Sequence, residues 1–146
     1  MLRRLLLPVL AVTGLAVISS AREAGAGADL SSNARLRVGV QFRPEACESR
    51  SRGGDVVKIS FTAFKYADGE EFENSKTQEP FEFTLGTGQV IRGLDAGLQG
   101  MCRGERRRVT IPAGLGYGAR GVGQVPPGAT LVYDVELLDL ARKDGS

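Results

Sequence analysis

Apolar and polar positions alternate along most of this chain, and the alternation breaks in one place. Leu36, Val38, Val40 and Phe42 are separated by polar residues or glycine, a period of two that predicts a strand ended by Pro44. Val57, Ile59, Phe61 and Ala63 repeat the pattern against Lys58, Ser60 and Thr62. Asp68-Gly69 then predicts a hairpin turn, with Glu71-Phe72-Glu73 returning as the partner strand. Residues 74–80 are polar and close on Pro80, so they read as a loop or an edge bulge. Phe81, Phe83 and Leu85 form a further alternating run. So do Glu105 to Ile111, with Arg107, Val109 and Ile111 on one side, and Leu131, Tyr133, Val135 and Leu137.

The break falls within residues 81–101, FEFTLGTGQVIRGLDAGLQGM. After its strand and a glycine-rich turn, Ile91, Leu94, Asp95 and Leu98 fall near one face at helical spacing. A helix is predicted from about Ile91 to Gly100, with Gly93, Gly97 and Gly100 limiting its length and allowing close approach to a sheet. Five or six antiparallel strands with one apolar face, covered by a single short helix, make an α+β layer architecture. A pocket floored by that helix is the candidate site. Residues 112–129 hold six glycines and three prolines, a long loop in which Tyr117 can present an O–H to that pocket.

The chain has 146 residues, enough for one domain. Residues 1–21 read as a cleaved secretory signal: Arg3 and Arg4, then the mostly apolar run from Leu5 to Ile18, then Ser19-Ser20-Ala21. An uncleaved anchor or an organellar presequence are the alternatives. Residues 22–33 read as a flexible linker and 34–146 as the domain, its core over about 53–141. Without Arg3 and Arg4, the 19 basic side chains become 17 against 17 acidic ones, so charge gives no support for nucleic-acid binding. The absence of histidine excludes a Ser-His-Asp triad, a Cys-His pair and any histidine metal site. Cys47 and Cys102, the only cysteines, favour pairing in a secreted chain, with two separate buried thiols as the alternative. Gly116 to Gly121 matches G-x-G-x-x-G without the strand and helix that a dinucleotide site requires. The run Arg106-Arg107-Arg108 reads as a strand with solvated outer charges and one stem packed inward or at the rim.

Four segments then carry a resemblance: DGEEFENS (68–75), PFEFTLGTGQVIRGLDAGLQGM (80–101), GERRRVTIPAGLGYGARG (104–121) and VPPGATLVYDVELLDL (125–140). In order and spacing they resemble FKBP-type peptidyl-prolyl cis–trans isomerases over about residues 36–140. The targeting segment and the two cysteines are most similar to the small FKBPs of the endoplasmic reticulum, in which the corresponding cysteines are disulfide-bonded. The resemblance implies a strongly bent antiparallel sheet wrapped around one short helix. It also implies catalysis of X–Pro bond rotation without cofactor or metal, in the endoplasmic-reticulum lumen or after secretion. Proline-containing polypeptides are the partners it implies, for a monomer without affinity for nucleic acid. By position, Phe72 and Phe81 match pocket aromatics and Val90 and Ile91 the pair at the helix entrance. The Ile91 N–H is expected to bond a ligand carbonyl. Tyr117 matches a loop tyrosine that donates its O–H to the ligand.

The chain departs from the family pattern at four further positions. Leu94 stands where active members usually carry a tryptophan that floors the pocket. Phe61 replaces a tyrosine, Glu73 an aspartate, and Tyr133 a phenylalanine. Weakened isomerase activity and weakened macrolide binding are the expectation. A non-catalytic peptide-binding or chaperone-like domain is the alternative.

Overall fold

The computed structural model describes residues 27–76 and 80–143, so the targeting segment expected over 1–21 lies outside the described residues. Among the described residues the strands are β1 (Arg37–Phe42), β2 (Val56–Lys65), β3 (Glu71–Asn74), β4 (Phe81–Thr84), β5 (Arg106–Ile111) and β6 (Leu131–Ala141), with one α-helix, α1 (Arg92–Gly97), before β5 and a 3-10 turn, Ala113–Leu115, after it.

The sheet is arranged around β2. One edge of β2 pairs with β6 along its length, from Val56↔Ala141 to Lys65↔Leu131. The other edge is shared: β4 takes the first half, Val56↔Thr84 to Ile59↔Phe81, and β3 the second, Thr62↔Asn74 to Phe64↔Glu71. β5 pairs with the free side of β6, and β1 pairs with β5 at the far edge. Every pairing is antiparallel and the sheet is not closed. Register shifts at Val40/Phe42, Lys58/Ile59 and Ala63/Phe64 mark bulges, which bend a strand and raise its twist. One of them explains why β6 outruns its predicted end at Leu137. Ile59 pairs with Leu137 and Lys58 with Asp139, so Leu138 is skipped and left 38% exposed, which interrupts the alternation while pairing continues.

α1 lies against β5. A Cβ on Gly93 would come within 2.4 Å of Ile111 Cγ2, and one on Gly97 within 2.6 Å of Val109 Cγ1. These two glycines, one turn apart, let the helix backbone rest directly on the β5 side chains. Leu94 and Leu98 then enter a core with Val57, Ile59, Phe61, Phe83, Leu85, Met101, Val135 and Leu137. The helix proper is shorter than the predicted 91–100, because the chain turns away after Gly97.

The end of α1 is held by the middle arginine of the basic run. Arg106 is exposed and its guanidinium lies 5.4 Å from the Phe42 ring; Arg108 pairs with Asp134. Arg107 points inward and is only 6% exposed. Its guanidinium donates to the carbonyls of Gly97, Gln99 and Gly100, at 3.0, 2.6 and 2.9 Å. The last carbonyls of a helix have no intrahelical donor and carry the negative end of its dipole, so a buried cation answers both needs. Its own charge is met by Glu105, which is 0% exposed and also accepts from Arg43 and from the Cys102 N–H. Burial alone would raise the Glu105 carboxyl, but these donors outweigh it and hold it below its ordinary 4.5. Cys102 is bonded to Cys47, 55 residues earlier in the chain. Between them Ser51 donates to the Leu98 carbonyl and accepts from the Met101 N–H.

The segment read as a linker is held at its C-terminal end: Leu30 N–H donates to Thr130 Oγ1, and Thr130 N–H to Asp29 Oδ1.

Arg107→Met should lower the unfolding free energy by about 3–5 kcal/mol, the usual consequence of removing one partner of a buried ion pair, as read by chemical denaturation. The Glu105 contribution is present above pH 4.5 and is lost as pH falls through its lowered value, so Glu105→Gln should flatten the acid side of the stability profile. Reduction of the disulfide, which closes a 55-residue loop, should lower stability by about 4 kcal/mol in the chain-entropy account.

Candidate active site

Alternation along β2 and β6 sends Phe61 and Tyr133 to the same face of the sheet, where both are buried. Their rings lie 5.7 Å apart. Phe81, from β4, meets Phe61 edge to face at 6.0 Å. Phe72, from β3, meets Tyr133 edge to face at 6.2 Å. Edge-to-face and tilted pairs at such distances suit the ring quadrupoles. Ser75 fixes the β3 end beside Phe61, accepting the Phe61 N–H at 2.7 Å.

A cavity of about 150 Å³ opens among these rings, lined by Phe61, Glu73, Phe81, Gln89, Val90, Ile91, Leu94, Tyr117 and Tyr133. Every residue assigned to the site by resemblance lines it except Phe72, which stands behind Tyr133 and supports that ring. Leu94, 3% exposed, is on the α1 face turned to the cavity. Tyr117 comes from the long loop, in a coil where the Ala113 carbonyl accepts from both Gly116 N–H and Gly118 N–H. A larger depression of about 540 Å³ lies over the opposite sheet face, where Ser60, Thr62, Asp134, Glu136, Lys76 and Arg106 line it. Its polar, open surface offers no enclosure, whereas the smaller cavity gathers the aromatics.

Of the polar side chains that line the cavity, Glu73, Tyr117 and Tyr133 lie close together. Burial first, and then the neighbouring Tyr117 phenol and Glu73 carboxylate, push the Tyr133 phenol well above its ordinary value of 10.0. Tyr133 therefore keeps its proton and remains a donor across the neutral range. The hydroxyl absent at Phe61 is thus present one strand away, on β6.

Pattern reading did not single out two residues that shape the entrance. Helical spacing puts Asp95 near the packing face of the helix, but its carboxylate accepts from Gly86 N–H at 2.6 Å and Gly88 N–H at 3.4 Å. Gln89 lines the cavity and its Oε1 accepts the Thr84 N–H at 2.9 Å. Together they fix the turn that delivers Val90 and Ile91. A sequence signal was available: Gly86-Thr87-Gly88 stands ahead of an acid in the first turn of the helix, and the structure gives the two glycines φ of +78° and +75°, which favours glycine.

The family model for FKBP-type peptidyl-prolyl cis-trans isomerase matches residues 47–138. The chain belongs to this family. It is 48% identical over 134 residues to peptidyl-prolyl cis-trans isomerase FKBP2 of Mus musculus, covering 90% of this chain and 94% of that protein. The Homo sapiens FKBP2 is 47% identical over 134 residues, covering 90% and 92%. Peptidyl-prolyl cis-trans isomerase FKBP15-2 of Arabidopsis thaliana is 46% identical over 110 residues, covering 74% and 67%. The open six-stranded sheet with its single helix is the fold of an FKBP domain. X–Pro isomerisation is the activity that follows from membership.

Because folded Tyr133 retains a proton that the unfolded chain releases near pH 10, its contribution to stability is constant below pH 10 and falls above it. Tyr133→Phe should therefore lose less melting temperature than the wild type between about pH 8 and pH 11, by circular dichroism.

Proposed function

We propose that the cavity beneath Phe61 and Tyr133 is where this protein binds and rotates X–Pro bonds. The observation that carries this reading is the convergence of Phe61, Phe81 and Tyr133 with the Tyr117 phenol on one small cavity. The barrier to be lowered is about 18–20 kcal/mol, and the uncatalysed rotation takes tens to hundreds of seconds. Water favours the planar amide by stabilising its charge separation. A cavity walled by Phe61, Phe81, Val90 and Leu94 withholds that solvation. It suits the twisted amide, whose C–N bond is closer to single. Binding the twisted form better than the planar one is the catalysis, and no nucleophile or metal takes part. Tyr117 supplies an O–H to a substrate carbonyl. Ile91, at the N-cap of α1, has an N–H with no intrahelical acceptor and supplies a second donor. The Tyr133 phenol, beside Tyr117 and Glu73, takes over the polar role of the hydroxyl that Phe61 lacks.

Leu94 in the floor sets the rate below that of a site with an aromatic floor, and weakens macrolide binding for the same reason. The same feature favours a second reading, a domain that holds proline-containing peptides without turning them over. The Cys47–Cys102 bond and the signal-like residues 1–21 support an oxidising compartment, the endoplasmic-reticulum lumen or the exterior.

With micromolar protein, cis–trans relaxation of a short X–Pro peptide should run measurably above background. A background rate from folded protein would leave only the binding reading. Leu94→Trp should raise kcat/KM about 3- to 10-fold by adding an aromatic contact beneath the substrate. An unchanged rate would show that the floor is not what limits turnover.

A further inference from the structure

The N-terminal segment makes contacts that its composition does not foreshadow. Asp29 and Leu30 form a reciprocal pair with Thr130: the Asp29 carboxylate accepts the Thr130 N–H at 2.9 Å, and the Leu30 N–H donates to Thr130 Oγ1 at 2.9 Å. Thr130 is fully buried. Two residues on, the Ser32 carbonyl accepts the Gly114 N–H at 2.9 Å. The approach is close, since a Cβ on Gly114 would lie 2.3 Å from that carbonyl oxygen. Gly114 and Thr130 are the two stems of the loop that carries Tyr117. Residues 29–32 therefore span the base of this loop and join its stems from outside.

Inside the loop the bonds continue toward Tyr117. Ala113, next to Gly114, accepts from Gly116 N–H and Gly118 N–H, the two neighbours of Tyr117. Gly118 in turn accepts from Gly128 N–H, near the Thr130 stem. A loop rich in glycine has much conformational freedom to lose, so external anchors at both stems narrow the positions open to the Tyr117 hydroxyl. A donor must be placed within a fraction of an ångström to act on a twisting amide.

We propose that residues 29–32 are a strap that positions Tyr117, with Asp29 as its positioning residue, a role that rests on the isomerase reading above. A secretory signal cleaved after Ala21 leaves the strap intact; removal of residues through Ser32 abolishes it.

Two independent readouts test the strap. Asp29→Ala removes the Thr130 acceptor, and Gly114→Ala pushes Ser32 away from the opposite side. Each should lower kcat/KM about 3- to 10-fold, while Asp29→Asn, which keeps an acceptor oxygen, should stay near wild type. In a Tyr117→Phe background, Asp29→Ala should change the rate by less than about twofold, because the group it positions is gone. Equal losses in both backgrounds, or no loss in the first, would overturn the proposal. Amide hydrogen exchange supplies the second readout and needs no catalysis. Asp29→Ala should speed exchange at Gly116 and Gly118, which the strap does not touch. Faster exchange confined to Thr130 and Gly114 would reduce the strap to a packed terminus. If the wild type proves inactive, the isomerase reading fails, and the exchange at Gly116 and Gly118 still decides whether the strap orders the loop.

Discussion

A helix of six residues cannot stand by itself, since nucleation outweighs the few hydrogen bonds it forms. α1 exists because β5 receives it. Gly93 and Gly97 bring its backbone onto Ile111 and Val109, and Arg107 of the same strand closes its C-terminal carbonyls. β5 thus supplies both the surface under the helix and the charge at its end. Glu105 makes the buried guanidinium tolerable, and through the Cys102 N–H and the disulfide the network reaches the chain before β2. The position of Leu94 in the cavity floor follows from this arrangement.

The walls of the cavity come from other elements. β2, β4 and β6 bring Phe61, Phe81 and Tyr133 together across paired strands, and Phe72 of β3 meets the Tyr133 ring edge to face. The entrance is a separate construction, a glycine turn tied by Asp95 and Gln89. The lid side is the Tyr117 loop, bonded internally and anchored at its stems by residues before β1. The floor and walls thus belong to helix and strands, while the Tyr117 side is a loop held by its own backbone bonds and by its stems.

Much of the fold was legible in the chain, because a sheet with one buried face writes itself as alternation. The runs at 57–63, 81–85 and 131–137 pass through β2, β4 and β6. Where pairing departs from alternation the pattern stopped short, as at Leu138, whose bulge hid the last turns of β6. Among the arginines at 106–108, spacing separates one side chain from its neighbours, but that Arg107 caps a helix depends on where the chain turns after Gly97. The residues brought together at the cavity were named from resemblance rather than from period, since an aromatic in a core strand and one in a pocket share the same alternation.

The sequence by itself determined which faces are apolar, where the chain turns, that a single short helix must pack on strands, and the family to which the motifs belong. These follow from local patterning and from long motifs in register. Only the tertiary structure decided which edge each strand takes, that Cys47 and Cys102 meet, that Tyr133 shares its space with Tyr117 and Glu73, and that Asp29 reaches Thr130 and Ser32 reaches Gly114. Such contacts carry no periodic signal, because each joins one polar group to a single distant partner. They are specified by the sum of all the packing rather than by any stretch of the chain.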